Sequence, residues 1–320
     1  MPENVPGIHH VTAITGDVQR NVDFYVGVLG LRFIKKTVNF DVPDTYHVYF
    51  GDHVGTPGTA MTYFGWPHLP HRAQGTGQVL AVSFAVPAGS IGFWADRLRA
   101  AGIEVAGAGR FGLEALSLED PDGIRLELVG EASDDRWSPW EEGPVEPRHA
   151  IRGFHSVGLL VGREEPTARF LLETMGFRET GREEGRLRLE TGPGGAGASV
   201  EVLVDAARGA GEEAAGTVHH VAWRATGDEH QLAWRAALQE ADRRVTPVIE
   251  RKYFRSVYFR EPGGVLFEIA TDGPGFTVDE PVQDLGGSLQ LPPQYEDRRG
   301  RLDFDLPPIT VPDVSRSRAR

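Results

Sequence analysis

The chain of 320 residues carries 33 Lys plus Arg against 46 Asp plus Glu, a net charge of −13, and has no cysteine. That length allows two ordinary domains with sizeable cores, the acidity argues against a nucleic-acid partner, and the lack of cysteine excludes disulfides and thiolate metal ligands. No apolar run approaches the roughly 18 residues of a membrane span, and the opening MPENVPG lacks a basic and apolar signal segment, so a cytoplasmic protein with no membrane partner is expected.

In chain order the pattern is a strand, a helix and three strands, four times over. Residues 8–14 read as a strand. Asp17 is suited to cap a helix that carries Val18, Val22, Tyr25 and Leu29 at helical spacing, and Gly30 to end it. Strand-like runs follow at 33–39, 46–50 and 59–64. The second unit opens at 79–86. Its helix starts near Ser90, carries Ile91, Trp94 and Leu98 and stops at Gly102, and its last strand is 124–129. The third unit opens at 154–161, with a helix over 166–175, a stop at Gly176 and a last strand at 199–204. The fourth opens at 218–224, with a helix around 230–241 and a last strand at 265–270. A repeat of about seventy residues exceeds solenoid periods, so each unit is a supersecondary module. The expected class is α+β, built from four βαβββ modules. Residues 1–130 hold the first pair, 131–151 a linker rich in Trp, Pro and acid, and 152–272 the second pair. Residues 273–320 read as an extended tail wrapping the body, with RSRAR at its end disordered.

Aligning the first strands superimposes IHHV, FHSV and VHHV, with LAVS at 80–83 as the counterpart in unit two. Alternation along a strand puts His10, Ser156 and His220 on one face and His9, His155 and His219 on the other. Aligning the last strands makes Glu268 and Glu127 equivalent, with Thr62 at that position in unit one and Glu201 in unit three. Units one and four then supply His10, His220 and Glu268. Two imidazoles and a carboxylate on separate strands are the ligand set of a mononuclear non-haem Fe(II) site with open positions. Units two and three supply Ser156, Glu127 and Glu201 but no inward histidine, and read as structural, with Glu127 a relic. His47, His53, His68, His71, His149 and His230 show no partner pattern and read as surface or loop residues. The glycines of PGG and TGPGGAG are turn residues, since neither sits in a phosphate-loop context.

The segments GIHHVTAITGD, FYVGVLGLRFIKKTVNFD, TVHHVAW, RKYFRSVYFREPGG and LFEIATD resemble the vicinal oxygen chelate superfamily of glyoxalase, bleomycin-resistance and extradiol dioxygenase proteins. Within it the likeness is to the ring-cleaving dioxygenases of hydroquinones and chlorinated hydroquinones, and LGGSLQLPPQYE and LPPI in the tail share it. The resemblance spans essentially the whole chain, least well at 196–215. It implies the vicinal oxygen chelate fold, with two open, barrel-like mixed sheets. It implies Fe(II), with Mn(II) as the alternative ion, held by His10, His220 and Glu268. It implies an aromatic diol and O2 as partners, and His9, Thr12, His219, Arg251 and Tyr258 around the substrate. His9 or His219 is suited to move a phenolic proton, Arg251 to hold negative charge, and Tyr258 to hydrogen-bond a reacting oxygen. A homo-oligomer is compatible with the sequence. Two other readings compete. A glyoxalase-like lyase or isomerase typically uses a second carboxylate, where this chain has Thr62. A metal-free binder of aromatic compounds would not need an intact His10, His220 and Glu268.

Overall fold

The structure, a computed structural model, describes residues 2–132 and 138–314. The RSRAR end and residues 133–137 of the linker lie outside the described residues. Module one comprises β1 (Ile8–Thr15), α1 (Val18–Val22) running on into a π-helical turn (Asp23–Val28), β2 (Arg32–Val38), β3 (Tyr46–Gly51) and β4 (Ala60–Gly65). Module two has β5 (Gln78–Pro87), α2 (Ile91–Ala100), β6 (Ala106–Gly107), β7 (Ala115–Glu119) and β8 (Arg125–Glu131). Module three has β9 (Phe154–Val161), α3 (Glu164–Arg169) with a π-helical turn (Phe170–Thr174), β10 (Arg178–Glu183), β11 (Arg186–Glu190) and β12 (Ser199–Val204). Module four has β13 (Val218–Ala225), α4 (Asp228–Glu240), β14 (Ile249–Glu250), β15 (Arg255–Arg260) and β16 (Leu266–Thr271). The tail adds β17 (Leu289–Gln290) and α5 (Arg299–Asp305), so it is not extended throughout. No helix among the described residues is long and apolar enough to cross a membrane.

The helix boundaries follow local chemistry. The Asp17 carboxylate accepts the Arg20 amide at 3.1 Å, capping α1. Gly30, Gly102 and Gly176 sit at φ of +71°, +75° and +71° where the helices of modules one, two and three turn into strands. Glycine alone adopts that left-handed conformation without a Cβ penalty.

Modules one and two lie in different sheets, and so do modules three and four. One nine-stranded sheet runs β14-β15-β16-β13-β1-β4-β3-β2-β17, combining modules one and four with the tail. The other runs β10-β11-β12-β9-β5-β8-β7-β6, combining modules two and three. This is the α+β architecture of two curled mixed sheets expected for the vicinal oxygen chelate fold. Each sheet is joined at its centre by an antiparallel seam between two first strands, β1 with β13 and β5 with β9.

Both seams carry two bulges. Ile8 pairs with Trp223 and His10 with Ala222, so His9 is the extra residue in β1. Thr12 pairs with His220 and Ala13 with Val218, so His219 is the extra residue in β13. In the other seam, Leu80 and His155 are the extra residues. Three regular pairs separate the bulges in each seam, so Ala81 occupies the position equivalent to His10 and Ser156 that equivalent to His220. The counterpart of His10 is therefore Ala81, one residue earlier than the LAVS alignment implied. The parallel registers Thr12 with Thr62, Ser83 with Glu127, Gly158 with Glu201 and Ala222 with Glu268 make those four last-strand positions equivalent.

A continuous apolar core, including Trp94, Phe84, Phe154, Trp223 and Phe267, underlies both sheets. A second cluster belongs to the first sheet alone. There Ile34, Tyr49, Ala60, Ala222, Tyr253, Phe254 and Ala270 pack with Phe276 and Leu285 of the tail. The tail is also tied electrostatically, because Lys35 is fully buried and pairs with Asp279 and Glu280.

In the second sheet the place of a metal is filled by a side chain. The Arg110 guanidinium donates to Glu127 at 2.6 Å and to Glu201 at 2.7 Å, while Ser83 donates to Glu127 and Arg186 to Glu201. Truncating one member of such a buried ionic group strands the remaining charges. Arg110→Ala is therefore expected to destabilise the protein by about 3–5 kcal/mol, read from denaturant midpoints. Metal content at the first sheet should not change.

Candidate metal centre and active site

The three candidate ligands come from adjacent strands of the first sheet. His10 is on β1, His220 on β13 and Glu268 on β16, and all three are buried. Small neighbours make the room, since His10 pairs with Ala60 on one side and Ala222 on the other. The Nε2 atoms of His10 and His220 are 3.3 Å apart, and Glu268 Oε2 lies 3.4 Å from the first and 2.9 Å from the second. Donors about 2.1 Å from one ion, at mutual angles of about 90–109°, lie about 3.0–3.4 Å apart. Among the described residues this is the one cluster of His, Asp or Glu close enough to hold a metal ion.

The bulges decide which atoms point at that centre. A bulge sets two residues against one and interrupts alternation. The two histidines of each doublet therefore meet, with His9 Nδ1 2.9 Å from His10 Nδ1 and His219 Nδ1 2.8 Å from His220 Nδ1. The expectation that His9 and His219 face away from the ligands on the far side of the strand is corrected by this irregularity. His9 Nε2 lies 3.1 Å from the Thr271 carbonyl, which can only accept. Burial, reinforced by His10, holds the His9 imidazole well below its ordinary pKa, so it is neutral. Its single proton is then on Nε2 and its Nδ1 accepts from His10 Nδ1–H. That leaves His10 Nε2 with a bare lone pair. The second doublet has the same Nδ1-to-Nδ1 contact. Burial, with His220 next in weight, lowers the His219 pKa to about 3, and its Nε2 is turned toward Glu213.

The carboxylate is held in the same way. Ser256 donates to Glu268 Oε1, while Oε2 is buried with no hydrogen-bond partner. The Nε2 atoms of His10 and His220 and one carboxylate oxygen without a hydrogen-bond partner thus converge. The residues present fit a divalent cation.

A cavity opens over the cluster. Arg251 and Tyr258 form one wall, with Arg251 Nε donating to the Tyr258 hydroxyl at 3.3 Å and Nη1 pairing with Asp41 at 3.0 Å. Burial, aided by Glu268, pushes the Tyr258 phenol upward, so it remains an O–H donor. Phe64 and Phe254 supply apolar surface, and Thr12 lines the cavity beside the ligands. Of the residues expected around a substrate, Thr12, Arg251 and Tyr258 line this cavity, whereas His9 and His219 lie behind the ligands they touch.

His47 was expected among the surface histidines, yet it lines the cavity. Its Nε2 lies 2.9 Å from Thr62 Oγ1 and its Nδ1 2.9 Å from the Tyr49 hydroxyl. Sequence reading missed both His47 and Tyr49. The signal was the alternation in YHVYFG, which puts the two on one face of β3. Register pairs Tyr49 with Thr62, already marked as a ligand-equivalent position. Asn39, Phe40 and Asp41, also in the wall, lie on a loop and gave no such signal. His155, the counterpart of His219, sits in the other sheet 3.0 Å from Glu131 and joins no metal cluster among the described residues.

The Glyoxalase/Bleomycin resistance protein/Dioxygenase superfamily pattern matches residues 7–128 and 153–269, and the chain belongs to that superfamily. Among its relatives, a Bacillus subtilis protein named as a ring-cleaving dioxygenase, MhqO, is 43% identical over 314 residues, 98% of this chain and 100% of that one. The chlorohydroquinone/hydroquinone 1,2-dioxygenase of Sphingobium indicum is 35% identical, over 94% of this chain and 96% of its own. A crystal structure of a Bacillus subtilis protein described as a dioxygenase superimposes with a TM-score of 0.92 at 42% identity, covering 97% of this chain and 99% of that one. Glyoxalase I of Zea mays shares the fold, with a TM-score of 0.60 at 15% identity over 83% of this chain and 92% of its own. The chain is an oxidoreductase of the ring-cleaving dioxygenase kind.

The hydrogen bond from His10 to His9 should set ligand orientation and basicity. His9→Ala is expected to weaken divalent-ion affinity about 10–100-fold, measured by chelator competition, while the fold persists by circular dichroism.

Proposed function

We propose that the protein is an Fe(II)-dependent dioxygenase that cleaves the ring of hydroquinone-type diols, substituted and chlorinated ones included, and inserts both atoms of O2. His10, His220 and Glu268 are the metal ligands in this reading. The observation that carries it is the convergence of the His10 and His220 Nε2 atoms and an unpartnered Glu268 oxygen, all within 3.4 Å of one another, beneath a cavity with aromatic walls and one cationic group. The names of the relatives point to the same chemistry. A metal ion bound there would supply Lewis acidity and an electron path between ring and dioxygen.

The remaining roles belong to the protein. Phe64 and Phe254 would sandwich the ring and exclude water. The Tyr258 hydroxyl donates toward the ring oxygen nearest the ligands, and Arg251 holds the negative charge that develops as a phenolic proton leaves. Thr12 fixes the opposite edge through its 2.9 Å contact with Thr62. His9 and His219 act through the ligands, setting their tautomers rather than exchanging protons with the substrate. A glyoxalase-like reaction is the weaker reading. The position that would carry its second carboxylate is Thr62, already engaged by Thr12 and His47.

Anaerobic loading with Fe(II), followed by oxygen uptake on adding hydroquinone, tests the proposal. No uptake with any member of a hydroquinone and catechol panel would remove it. Hydroquinones are expected to turn over faster than catechols. A catechol preference of about tenfold or more, equal to about 1.4 kcal/mol in the barrier, would assign the protein to ordinary extradiol chemistry.

Mutation separates ligands from substrate contacts. Glu268→Ala should lose iron and turnover together. Arg251→Ala and Tyr258→Phe should retain iron and turn over about a hundredfold to a thousandfold more slowly, a loss of about 2.7–4 kcal/mol. Metal analysis beside steady-state rates makes the distinction, and near-normal rates in Arg251→Ala would reduce Arg251 to a structural charge.

A further inference from the structure

We infer that Tyr49, held by His47, receives the second hydroxyl of the ring and thereby makes the cavity selective for a para-diol. The inference rests on the hydroquinone reading above and extends it to a residue outside the Arg251 and Tyr258 wall.

A para-diol can bring only one oxygen to a single ion, whereas a catechol can bring two. Inside a closed cavity the other hydroxyl of a para-diol needs a partner from the protein, because a buried polar group left unpaired is costly. Most polar groups in the wall are already engaged. Asn39 Oδ1 accepts the amides of Asp41 and Val42, at 2.9 and 3.2 Å. Arg251 is shared between Asp41 and Tyr258, and the Thr12 hydroxyl, hydrogen-bonded to Thr62, lies on β1 beside the ligand His10 and so at the near end of the ring. The Tyr49 hydroxyl has a single partner, the His47 imidazole.

The position of Tyr49 is suitable too. It lies on β3, separated by β4 from β1, which bears His10. At the spacing of neighbouring strands that is about 10 Å along the curled sheet. The phenol is buried, and its ring rests on Phe276 of the tail at 5.0 Å between centroids. A hydrogen-bonded chain fixes its oxygen, running from Tyr49 to His47, Thr62 and Thr12 with 2.9 Å at each step. Burial keeps the phenol above and the imidazole below their ordinary pKa values, so the chain is neutral. Its protons can run in either direction. If Tyr49 donates to His47, its lone pairs accept from the ring hydroxyl. If His47 donates, the Tyr49 O–H points to the ring oxygen. In both cases one valence remains for the substrate.

The test is a ligand and protein cycle on protein loaded anaerobically with Fe(II), read as dissociation constants by calorimetry. Hydroquinone is compared with 4-methylphenol, which replaces the second hydroxyl by a methyl group of similar size. The wild-type protein should prefer hydroquinone by about fivefold to tenfold, the net worth of one buried hydrogen bond. Tyr49→Phe, which removes one oxygen, should abolish that preference. Tyr258→Phe should weaken both ligands alike, since its contact is with the oxygen they share. If Tyr49→Phe keeps the preference, another group holds the second hydroxyl and the inference falls. It falls equally if the wild-type protein shows no preference. Either result leaves the oxygen-uptake test of the dioxygenase reading untouched.

Discussion

Everything at the candidate centre depends on the antiparallel seam between β1 and β13. That seam joins the first and the fourth module and brings together histidines 210 positions apart in sequence. Its two bulges supply more than proximity. Each places one histidine behind another, so that a buried neutral imidazole fixes the proton of its neighbour. A regular ladder would send the two rings of each doublet to opposite faces. The ligand atoms would then have no fixed tautomer, and the carboxylate of β16 would face two rings free to present N–H groups.

The second sheet shows the same framework meeting a different electrostatic demand. Its seam has the same two bulges and the same spacing, and it too directs carboxylates inward from its last strands. Glu127 and Glu201 cannot be buried as bare charges. The chain answers with Arg110 from the loop after β6, so that a guanidinium stands where the first sheet has room for an ion. The equivalent positions differ in what they ask of solvent. One half brings its own cation and is a structural pillar. The other presents uncompensated donors and has a cavity beside them.

Much of this was legible in the sequence because it rests on periodicity. The four modules, the helix ends at Gly30, Gly102 and Gly176, the grouping of modules one and four and the convergence of His10, His220 and Glu268 all follow from repeats and strand alternation. What escaped had a different physical origin. A bulge leaves no mark in composition, so His9 and His219 were placed on the wrong face. His47 and Tyr49 were readable in principle from the alternation of β3, but an isolated histidine with no doublet carried no emphasis. Asp41 and Asn39 belong to a loop, and only the tertiary fold brings Asp41 to Arg251. The tail was expected to wrap the body, and the packing of its Phe276 and Leu285 against the first sheet depends on long-range contacts that no local pattern encodes.

The exchange of modules between sheets also sets an order of events at synthesis. At about 5–20 residues per second, the 210 residues between the paired histidines take roughly 10–40 s to emerge after His10. Throughout that interval β1 has no β13 to pair with, and its central edge is open. Modules two and three, contiguous in the chain, can close their sheet first and shelter the nascent first module. The candidate metal centre is complete only once module four has emerged, with the tail following it. A chain stalled before His220 therefore holds one of the three candidate ligands, and one stalled before Glu268 holds at most two.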